Sequence, residues 1–589
     1  MSRWDETTGQ KIPDDHLLTD EVIARCERAD TLGSGAAAPM PIPTQLVSNG
    51  EYPPLPQTTN QQRVEARVNG LADIAAKKLG VSRRSFLLGS GGMAASFLAM
   101  NEIYGPYFDI DPLSLMVPEA YAQSGPPKDL FVFDDQLHMV RGSRFDAAAP
   151  LRALAQGPSS TFSKSNPLNG KNQKDEHGEL WGVWNRQLVG LPNSPENFLI
   201  TQFIKDVYLD SQVNVGLLSN VPAGVVDPPG AVTPRNIAEA QKGEILTAAQ
   251  TAAARDFVNQ VSGSQRMLAH ALLYVGKGNL DYIRQQAEEL KPDSWKGYNI
   301  GTSAKVDNDP LSPMRQWRHD DEAVAYPTFE LIQSLYEKVK QDKPGFNNIC
   351  VHKGLVDNMP PRPEVGHPSD LPKAARDWPK LNFITYHACI QPAFFMYDAY
   401  LQAKGTRMRE GVPDIAWTTE YGVLCRDLPN TYAEIGTTWA SAIVTFPTLA
   451  AHLMGQLLKF FGPDRVVFGS DSVWYGSPQW QIEALWRFQI PEAMQKQYGY
   501  PALTTETKRK ILGLNSARLY GMKPARNLGA QFKPVPKDYA SKMTPGFKKL
   551  MEVDKPVAAV MDNLDLMRQR YAAAGGAPDH LRYGWIRRA

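Results

Sequence analysis

The sequence contains little cysteine, no excess of charge and no long apolar run. None of its four cysteines forms a C-x-x-C pair, so a structural zinc site or a thioredoxin-like motif is not supported. Its 63 basic and 62 acidic side chains leave a formal net charge of +1. A nucleic-acid partner needs a concentrated basic face, and this balance of charge argues against such a partner.

Motifs that mark several large enzyme classes are also absent. The chain has no G-x-S-x-G nucleophile motif, no Walker A motif and no dinucleotide fingerprint after a strand. Outside one signal-like stretch near the N-terminus, no segment approaches the roughly 18 consecutive apolar residues that a membrane-spanning helix needs. We therefore predict no membrane span in the mature chain.

The N-terminal region differs in composition from the rest of the chain. Residues 1–80 are rich in Pro, Gly, Thr, Asn and Gln and show little periodicity, so we predict a segment of low order. Residues 81–122 then resemble a twin-arginine export signal, because Arg83 and Arg84 precede the apolar stretch LGSGGMAASFLAM. A small-x-small site typical of signal peptidase ends at Ala122. The alternative is a basic helix start before a buried helix.

An export signal would determine where the protein works. Cleavage after Ala122 would leave residues 123–589 as the mature protein. The twin-arginine translocase would be a partner during export, and the mature chain would be periplasmic or secreted.

From residue 128 onward, apolar strand-like runs alternate with amphipathic helical runs, as in repeated βα units. There are eight strand candidates, the number that a closed (β/α)8 barrel needs: 130–134, 213–219, 266–275, 296–300, 347–352, 381–387, 430–436 and 465–470. We predict an α/β fold with a TIM-type (β/α)8 barrel over residues 123–525 and a C-terminal tail over 526–589 that packs on it. Long loops at 141–195 and 353–377 are expected to roof the pocket.

Four of these apolar segments run into residues that commonly bind metals. They are FVFDDQLHMV (131–140), ICVHKGL (349–355), ITYHACI (384–390) and VVFGSDSVWYG (466–476). Parallel strands present the residues at their carboxyl ends on one rim of a barrel, where active sites lie. We expect four residues to share that rim: His138, His352, His387 and Asp471. In the first segment, the amide of Gln136 stands where a D-x-H-x-H pattern would place an imidazole.

The order and spacing of these pieces resemble the amidohydrolase superfamily. More narrowly, the chain is similar to the amidohydrolase-related group that includes aminocarboxymuconate-semialdehyde decarboxylase. The matching pieces span residues 130–521 and are DDQLH (134–138), GLLSNVP (216–222), EELKPDSWKGYNI (288–300), DDEAVAYPTFELI (320–332), VHKGL (351–355), YHACI (386–390), FGSDSVW (468–474) and ILGLNSARLYG (511–521).

The resemblance implies a role for each residue of the rim. The two ligands that the group's first strand supplies fall on Gln136 and His138. The strand-five histidine falls on His352, and the strand-eight aspartate falls on Asp471. The strand-six histidine, a catalytic acid or base beside the metal, falls on His387. The implied cofactor is a divalent metal, zinc first, with manganese or iron as alternatives, which activates a bound water.

The amide of Gln136 leaves three possibilities open. In the first, Gln136 is a weak ligand or hydrogen-bonds the metal-bound water. In the second, the site binds substrate without a tightly held metal. In the third, the chain is a non-catalytic binding relative. Lys296 on the fourth strand is the candidate for a carbamylated bridging lysine, and it is equally a plain lysine at a strand start.

Three further residues are candidates for contact with a small-molecule substrate. Arg318 and His319 lie in the loop after the fourth strand, which opens on the active face, although a salt bridge with Asp320 or Asp321 is the alternative. Trp474 can wall the pocket against an aromatic substrate. A homo-oligomer is left open.

The leading hypothesis is an exported, metal-dependent hydrolase. It would cleave a C–N or C–O bond in a small carboxylated or cyclic substrate through a metal-activated water, with Asp471 accepting the proton and His387 protonating the leaving group. The runner-up is a non-oxidative decarboxylase on the same metal site. The third hypothesis is a periplasmic binding protein with a degenerate site.

Overall fold

The computed structural model describes most of the barrel and a helical segment that precedes it. It covers residues 40–46, 57–140, 200–222, 236–262, 264–299, 315–355, 363–391 and 407–524. The expected roof segment 141–195 and the expected C-terminal tail 526–589 lie outside the described residues.

Eight parallel strands form the barrel, and each pairs with its neighbour in chain order. They are β1 (Phe133–Leu137), β2 (Val215–Leu218), β3 (Met267–Leu272), β4 (Ser294–Tyr298), β5 (Asn348–His352), β6 (Asn382–Tyr386), β7 (Thr431–Glu434) and β8 (Val466–Val467). The ring closes where β1 meets β8, because Leu137 pairs with Ser472 and the N–H of Asp135 donates to the carbonyl of Phe468 at 2.9 Å. The predicted (β/α)8 barrel is confirmed.

The strands form where β-branched, aromatic and aliphatic residues follow one another. β5 reads NICVH and is buried throughout, as a parallel strand covered on both faces should be. Several charged side chains on the strands break this apolar rule, and among them Lys296 on β4 and Glu434 on β7 are both fully buried. A buried charge needs a partner, so both residues point to the chemistry of the interior.

The described α-helices, in chain order from α1 to α17, are Thr59–Leu79, Arg83–Leu87, Ser90–Tyr104, Pro118–Ser124, Ile200–Ile204, Ile237–Gly243, Ala248–Ser262, Leu280–Gln285, Tyr326–Val339, Leu371–Asp377, Ala416–Cys425, Thr438–Ile443, Pro447–Phe461, Gln479–Arg487, Glu492–Tyr498, Thr505–Arg509 and Asn515–Leu519. A short hairpin joins Met408–Arg409 to Val412–Pro413. No helix in these ranges combines the length and apolarity that crossing a membrane requires.

The first long helix lies in a region that the composition suggested would have low order. That expectation is wrong for α1, which begins at a capping box between Thr58 and Gln61 and ends at Gly80 in the left-handed conformation. Its buried face carries small residues such as Val68 and Ala72. Their spacing forms an apolar stripe, but their small size makes the stripe inconspicuous in the composition.

The signal-like apolar stretch forms α3, a helix buried within the fold. Phe97 on α3 contacts Phe108 at 4.8 Å between ring centroids, and Phe108 in turn contacts Phe488 at 5.5 Å. Phe108 and Phe488 also form an antiparallel bridge, and the hydroxyl of Tyr107 bonds that of Thr448 at 2.9 Å. Of the two interpretations of this stretch, the structure therefore shows the second, a basic helix start followed by a buried helix.

A buried arginine fastens the end of this segment to the barrel. The guanidinium of Arg487 on α14 donates to the carbonyl of Tyr121 at 2.8 Å and to the hydroxyl of Ser124 at 2.7 Å. Both partners lie on α4, which contains the proposed cleavage position after Ala122. The residues before that position are therefore bound into the same packed body as the barrel.

Candidate active site

The first and last strands of the barrel bring His138 and Asp471 together. Nε2 of His138 lies 3.0 Å from Oδ1 of Asp471, and both side chains are almost fully buried. Burial lowers the pKa of His138, although the hydrogen bond to Asp471 opposes this. Burial alone would raise the pKa of Asp471, but the hydrogen bond and charge of His138 outweigh burial and lower it. The pair therefore keeps Asp471 ionised.

Two neighbours hold this pair in place. The hydroxyl of Thr437 donates a short hydrogen bond to Oδ2 of Asp471, so Oδ1 is the oxygen directed at His138. The indole of Trp474 stacks on the imidazole of His138, with 5.4 Å between ring centroids and 24° between planes. This contact places Trp474, a predicted substrate contact, in the wall beside the pair.

The amide of Gln136 lies against the same pair. Its Nε2 is 3.4 Å from Nε2 of His138, and its backbone carbonyl accepts the N–H of Asp471 at 3.0 Å. Its Oε1 is buried and has no hydrogen-bond partner. A buried acceptor without a donor is costly, so this oxygen is suited to a ligand that carries positive charge.

His352 and His387 form a second pair, which is joined ring to ring. Nε2 of His387 lies 3.0 Å from Nδ1 of His352, and Nδ1 of His387 lies 2.9 Å from the carbonyl of Gly436. A carbonyl only accepts, so the Nδ1–H of His387 donates to it. The Nε2 of neutral His387 then accepts from Nδ1 of His352, and this leaves a lone pair on Nε2 of His352.

Burial keeps both of these rings neutral. It lowers the pKa of His387 to about 4, although the charge of Asp471 opposes this. It also holds the pKa of His352 well below its usual value, with the neighbouring charge of His387 as the next cause. At neutral pH the two rings therefore act as bases or ligands rather than as cations.

Backbone strain clusters at this end of the barrel. His387 after β6, Thr437 after β7 and Asp471 after β8 have φ values of 64°, 55° and 58°. Non-glycine residues seldom adopt the left-handed conformation, and such strain concentrates at functional sites.

Glu434 is a site residue that the sequence argument did not single out. It ends β7, is fully buried, and accepts the backbone N–H of His387 at 3.1 Å and that of Gly436 at 2.5 Å. Burial raises the pKa of Glu434 well above its usual value, although these N–H donors and the charge of Lys296 oppose this. Glu434 is an acidic residue within a strand-like run, and that signal could have identified it.

Lys296 lies in the middle of β4 rather than at the strand start. Its ammonium is 3.5 Å from the ring centroid of Tyr386 and 5.3 Å from that of Tyr298, both cation–π distances. Its charge also acts on Asp135 and Glu434. Lys296 is thus the ammonium that balances part of the interior's negative charge.

The structure does not bring Arg318 and His319 into this cluster. Arg318 makes a two-pronged ion pair with Asp320 at 2.9 and 3.0 Å. This is the salt bridge that was the alternative to a substrate contact. His319 is buried, and both its Nδ1 and its backbone N–H contact Asp370, at 2.8 and 2.9 Å. Lys353 also pairs with Asp370 at 3.0 Å. These contacts form a separate buried network.

The predicted metal ligands are only partly assembled. Among the described residues, no three His, Cys, Asp or Glu side chains form a group that could hold a metal ion. The side chain of Gln136 lies beside the His138–Asp471 pair with its amide nitrogen 3.4 Å from Nε2 of His138, so its oxygen would have to turn toward the pair to complete a set of three donors. The unpartnered Oε1 of Gln136 and the convergence of His138 on Asp471 fit a divalent cation.

Comparison with solved structures finds matches of low sequence identity and low TM-score. The 5-carboxyvanillate decarboxylase from Novosphingobium aromaticivorans, with bound manganese, is 12% identical, covers 68% of this chain and 99% of its own, and has a TM-score of 0.34. The 2,6-dihydroxybenzoate decarboxylase from Rhizobium is 12% identical, with coverage of 67% and 99% and a TM-score of 0.32. A probable 2-pyrone-4,6-dicarboxylic acid hydrolase from Acinetobacter baumannii is 11% identical, with coverage of 66% and 99% and a TM-score of 0.30.

Sequence comparison gives the family. No curated protein sequence matches the chain. The amidohydrolase family (Amidohydro_2) matches residues 225–522, which is just over half of the 589 residues and includes β3 to β8. The chain therefore belongs to the amidohydrolase family and is an enzyme of that group.

Proposed function

We propose that this chain is a metal-dependent hydrolase that directs water at a small carboxylated or cyclic substrate. The observation that carries the proposal is the buried contact of His138 with Asp471 beside the unpartnered oxygen of Gln136. A histidine, a carboxylate and an amide there suit a divalent cation with an open position. Zinc is the proposed metal, with manganese or iron as alternatives.

Four residues would hold or border that metal. Gln136, His138 and Asp471 would hold it, and the lone pair on Nε2 of His352 makes this ring a further ligand candidate. When bound, a divalent cation lowers the pKa of a water ligand toward about 7 and polarises a substrate carbonyl.

The proton transfers are assigned to Asp471 and His387. The hydroxyl of Thr437 occupies Oδ2 of Asp471, so the proton of the attacking water goes to Oδ1. His387 has a lone pair at Nε2, so it delivers a proton to the leaving atom only after receiving one. In hydrolysis the proton that Asp471 takes from the water would pass to His387 and then to the leaving atom, so one proton leaves the water and one reaches the product.

Decarboxylation on the same residues is the second candidate. In that reaction a carboxylate leaves as carbon dioxide, and the ring carbon must gain a proton that no attacking water provides. The Nε2 of His387 accepts a hydrogen bond from His352 and has no proton to give. This tautomer favours hydrolysis over decarboxylation.

Product analysis distinguishes the two reactions. The zinc- or manganese-loaded protein would be offered carboxylated lactones and lactams, and separately aromatic carboxylic acids, in isotopically labelled water. We expect ring-opened product carrying one labelled oxygen, and a large loss of rate in His387→Gln. Release of carbon dioxide without incorporation of label would refute the hydrolase assignment.

We also propose that the chain is exported by the twin-arginine route with residues 59–124 retained. The paired arginines support export, while the burial of α3 and the contacts of Arg487 with Tyr121 and Ser124 support retention. Arg83 also contacts Asn69 and Asp73, so its substitution needs a folding control. The double variant Arg83→Lys and Arg84→Lys should remain cytoplasmic and folded, and the exported wild type should keep its N-terminal helices by intact mass. A mature chain that starts at Gln123 would contradict retention.

A further inference from the structure

Three polar groups of His387 are bonded by one short segment, residues 434–438, at the end of β7. The backbone N–H of His387 donates to Oε2 of Glu434 at 3.1 Å, and its ring Nδ1–H donates to the carbonyl of Gly436 at 2.9 Å. Its backbone carbonyl accepts the hydroxyl of Thr438 at 2.9 Å. The placement of His387, which follows β6, therefore depends on the neighbouring strand.

The carboxyl group of Glu434 joins the turns that follow β6 and β7. Its Oε2 accepts the N–H of His387, and its Oε1 accepts the N–H of Gly436 at 2.5 Å. Gly436 is also the residue whose carbonyl accepts the ring Nδ1–H of His387. One side chain thus holds both the backbone of His387 and the partner of its imidazole. A backbone N–H only donates and a backbone carbonyl only accepts, so the direction of each bond is fixed.

The conformation that these bonds hold is strained. His387, Ala388 and Cys389 are three successive non-glycine residues with φ values of 64°, 47° and 54°. Left-handed backbone persists at such residues only where the surrounding structure enforces it. A Cβ on Gly354 would lie 2.6 Å from Cβ of His387, so the turn after β5 packs closely against the same residue. The bonds from residues 434–438 therefore oppose the relaxation of a strained turn.

The same segment also holds the second group to which proton transfer is assigned. The hydroxyl of Thr437 donates to Oδ2 of Asp471. Glu434 itself is fully buried, and each of its oxygens accepts a backbone N–H. This arrangement suits a side chain that acts through other residues, because its acceptors are already engaged.

We propose that Glu434 is a positioning residue that holds His387 in the orientation needed for proton transfer. By binding the N–H groups of His387 and Gly436, it keeps the ring Nδ1–H on the carbonyl of Gly436. The Nε2 of the ring then stays directed at Nδ1 of His352, 3.0 Å away. This inference rests on the proposed role of His387 in hydrolysis, and it adds the residue that orients the ring.

The test is the state of the His387 ring in Glu434→Gln, measured by NMR on full-length protein with isotope-labelled histidine. The signals of His387 are those that vanish in His387→Gln. Glutamine keeps the size of glutamate, but its amide nitrogen cannot accept a hydrogen bond, so one of the two N–H groups loses its acceptor. We expect wild type to carry the ring proton on Nδ1. In the variant that proton should exchange with water about tenfold faster, and the two neutral tautomers should mix.

Kinetics and a matched control sharpen the result. On a carboxylated lactone that wild type hydrolyses, Glu434→Gln should lower kcat about 100-fold and leave KM unchanged, because a misplaced ring slows proton transfer without altering substrate contacts. Glu244→Gln is the control, since Glu244 is also buried and its Oε1 accepts the hydroxyl of Tyr274 at 2.6 Å, a bond that glutamine can keep. It should leave kcat and the His387 signals unchanged.

The outcomes separate this inference from the function on which it rests. Wild type that hydrolyses no lactone or lactam would overturn the proposed function, whereas the NMR comparison tests the orientation of the ring without any substrate. A folded Glu434→Gln with the wild-type tautomer and exchange rate would overturn the inference alone, even if the variant unfolds at a lower temperature.

A second variant decides if Glu434→Gln does not fold. Thr438→Val removes the hydroxyl that donates to the carbonyl of His387 from the same segment. Faster exchange of the ring proton of His387 in this variant supports the inference, and the wild-type exchange rate overturns it.

Discussion

The imidazole of His138 contacts the carboxylate of Asp471 at 3.0 Å across the seam where the barrel closes. One residue follows the first strand and the other follows the last, so the contact forms only when all eight strands have paired. The contact between these two site residues therefore requires the closed ring.

Removal of either residue should abolish tight metal binding. His138→Ala removes a nitrogen donor, and Asp471→Asn removes the charge of the carboxylate. Each purified variant should retain less than about a tenth of the metal of wild type after dialysis, measured by elemental analysis. The control is His452→Gln, which replaces another buried histidine, one bonded to the hydroxyl of Tyr500 at 3.0 Å. Unchanged metal content in both site variants would show that the ligands are misassigned.

Gly469→Ala should destabilise the protein through overpacking. The new Cβ would lie 2.0 Å from the carboxylate of Glu434, so the carboxylate or the strand must move. We expect the free energy of unfolding in urea to fall by about 1–3 kcal/mol. Gly70→Ala in α1 is the control, because no atom lies within 4 Å of its new Cβ. That change should stabilise the helix by about 0.5–1 kcal/mol. Equal effects at both positions would refute the crowding beside Glu434.

Arg487→Leu should loosen the N-terminal helices from the barrel. The guanidinium is fully buried, and its loss leaves the carbonyl of Tyr121 without that donor. We expect a loss of about 3 kcal/mol and faster limited proteolysis around α4. Arg284→Leu removes an exposed arginine paired with Asp281, and it should cost less than about 0.5 kcal/mol. Wild-type resistance to proteolysis in Arg487→Leu would show that this anchor is dispensable.

His452 should contribute to acid destabilisation. Burial lowers its pKa from the usual 6.5 to about 4, so the unfolded chain binds a proton at higher pH than the folded chain does. The stability from the neutral ring is complete above pH 6.5 and is lost as the pH falls toward 4. Between pH 7.5 and 4.5 the loss is about 2.5 kcal/mol for this residue.

His452→Gln isolates that contribution. Other buried groups titrate equally in both proteins, so they cancel in the difference. Urea unfolding across this pH range should show a shallower decline for the variant than for wild type. Parallel curves would mean that His452 is solvated or protonated in the folded state.

Local pattern accounts for the part of this structure that could be predicted. Alternation of apolar strands with amphipathic helices predicts the barrel, because the periodicity of burial is a property of neighbouring residues. The same pattern predicts that residues after the strands meet at one rim, and the structure brings His138 to Asp471 and His352 to His387. The buried helix α1 was missed because its apolar stripe consists of small residues in a polar context.

The sequence by itself determined the fold class, the strand count and the residues that follow the strands. Only the tertiary structure decided which of those residues touch. The close approach of Glu434 to Gln136 depends on strand register and on Gly436 and Gly469, which follow β7 and β8. The tautomer of His387 likewise depends on a carbonyl of the next turn. Such contacts join positions far apart in the chain, and no local periodicity specifies the distance between them.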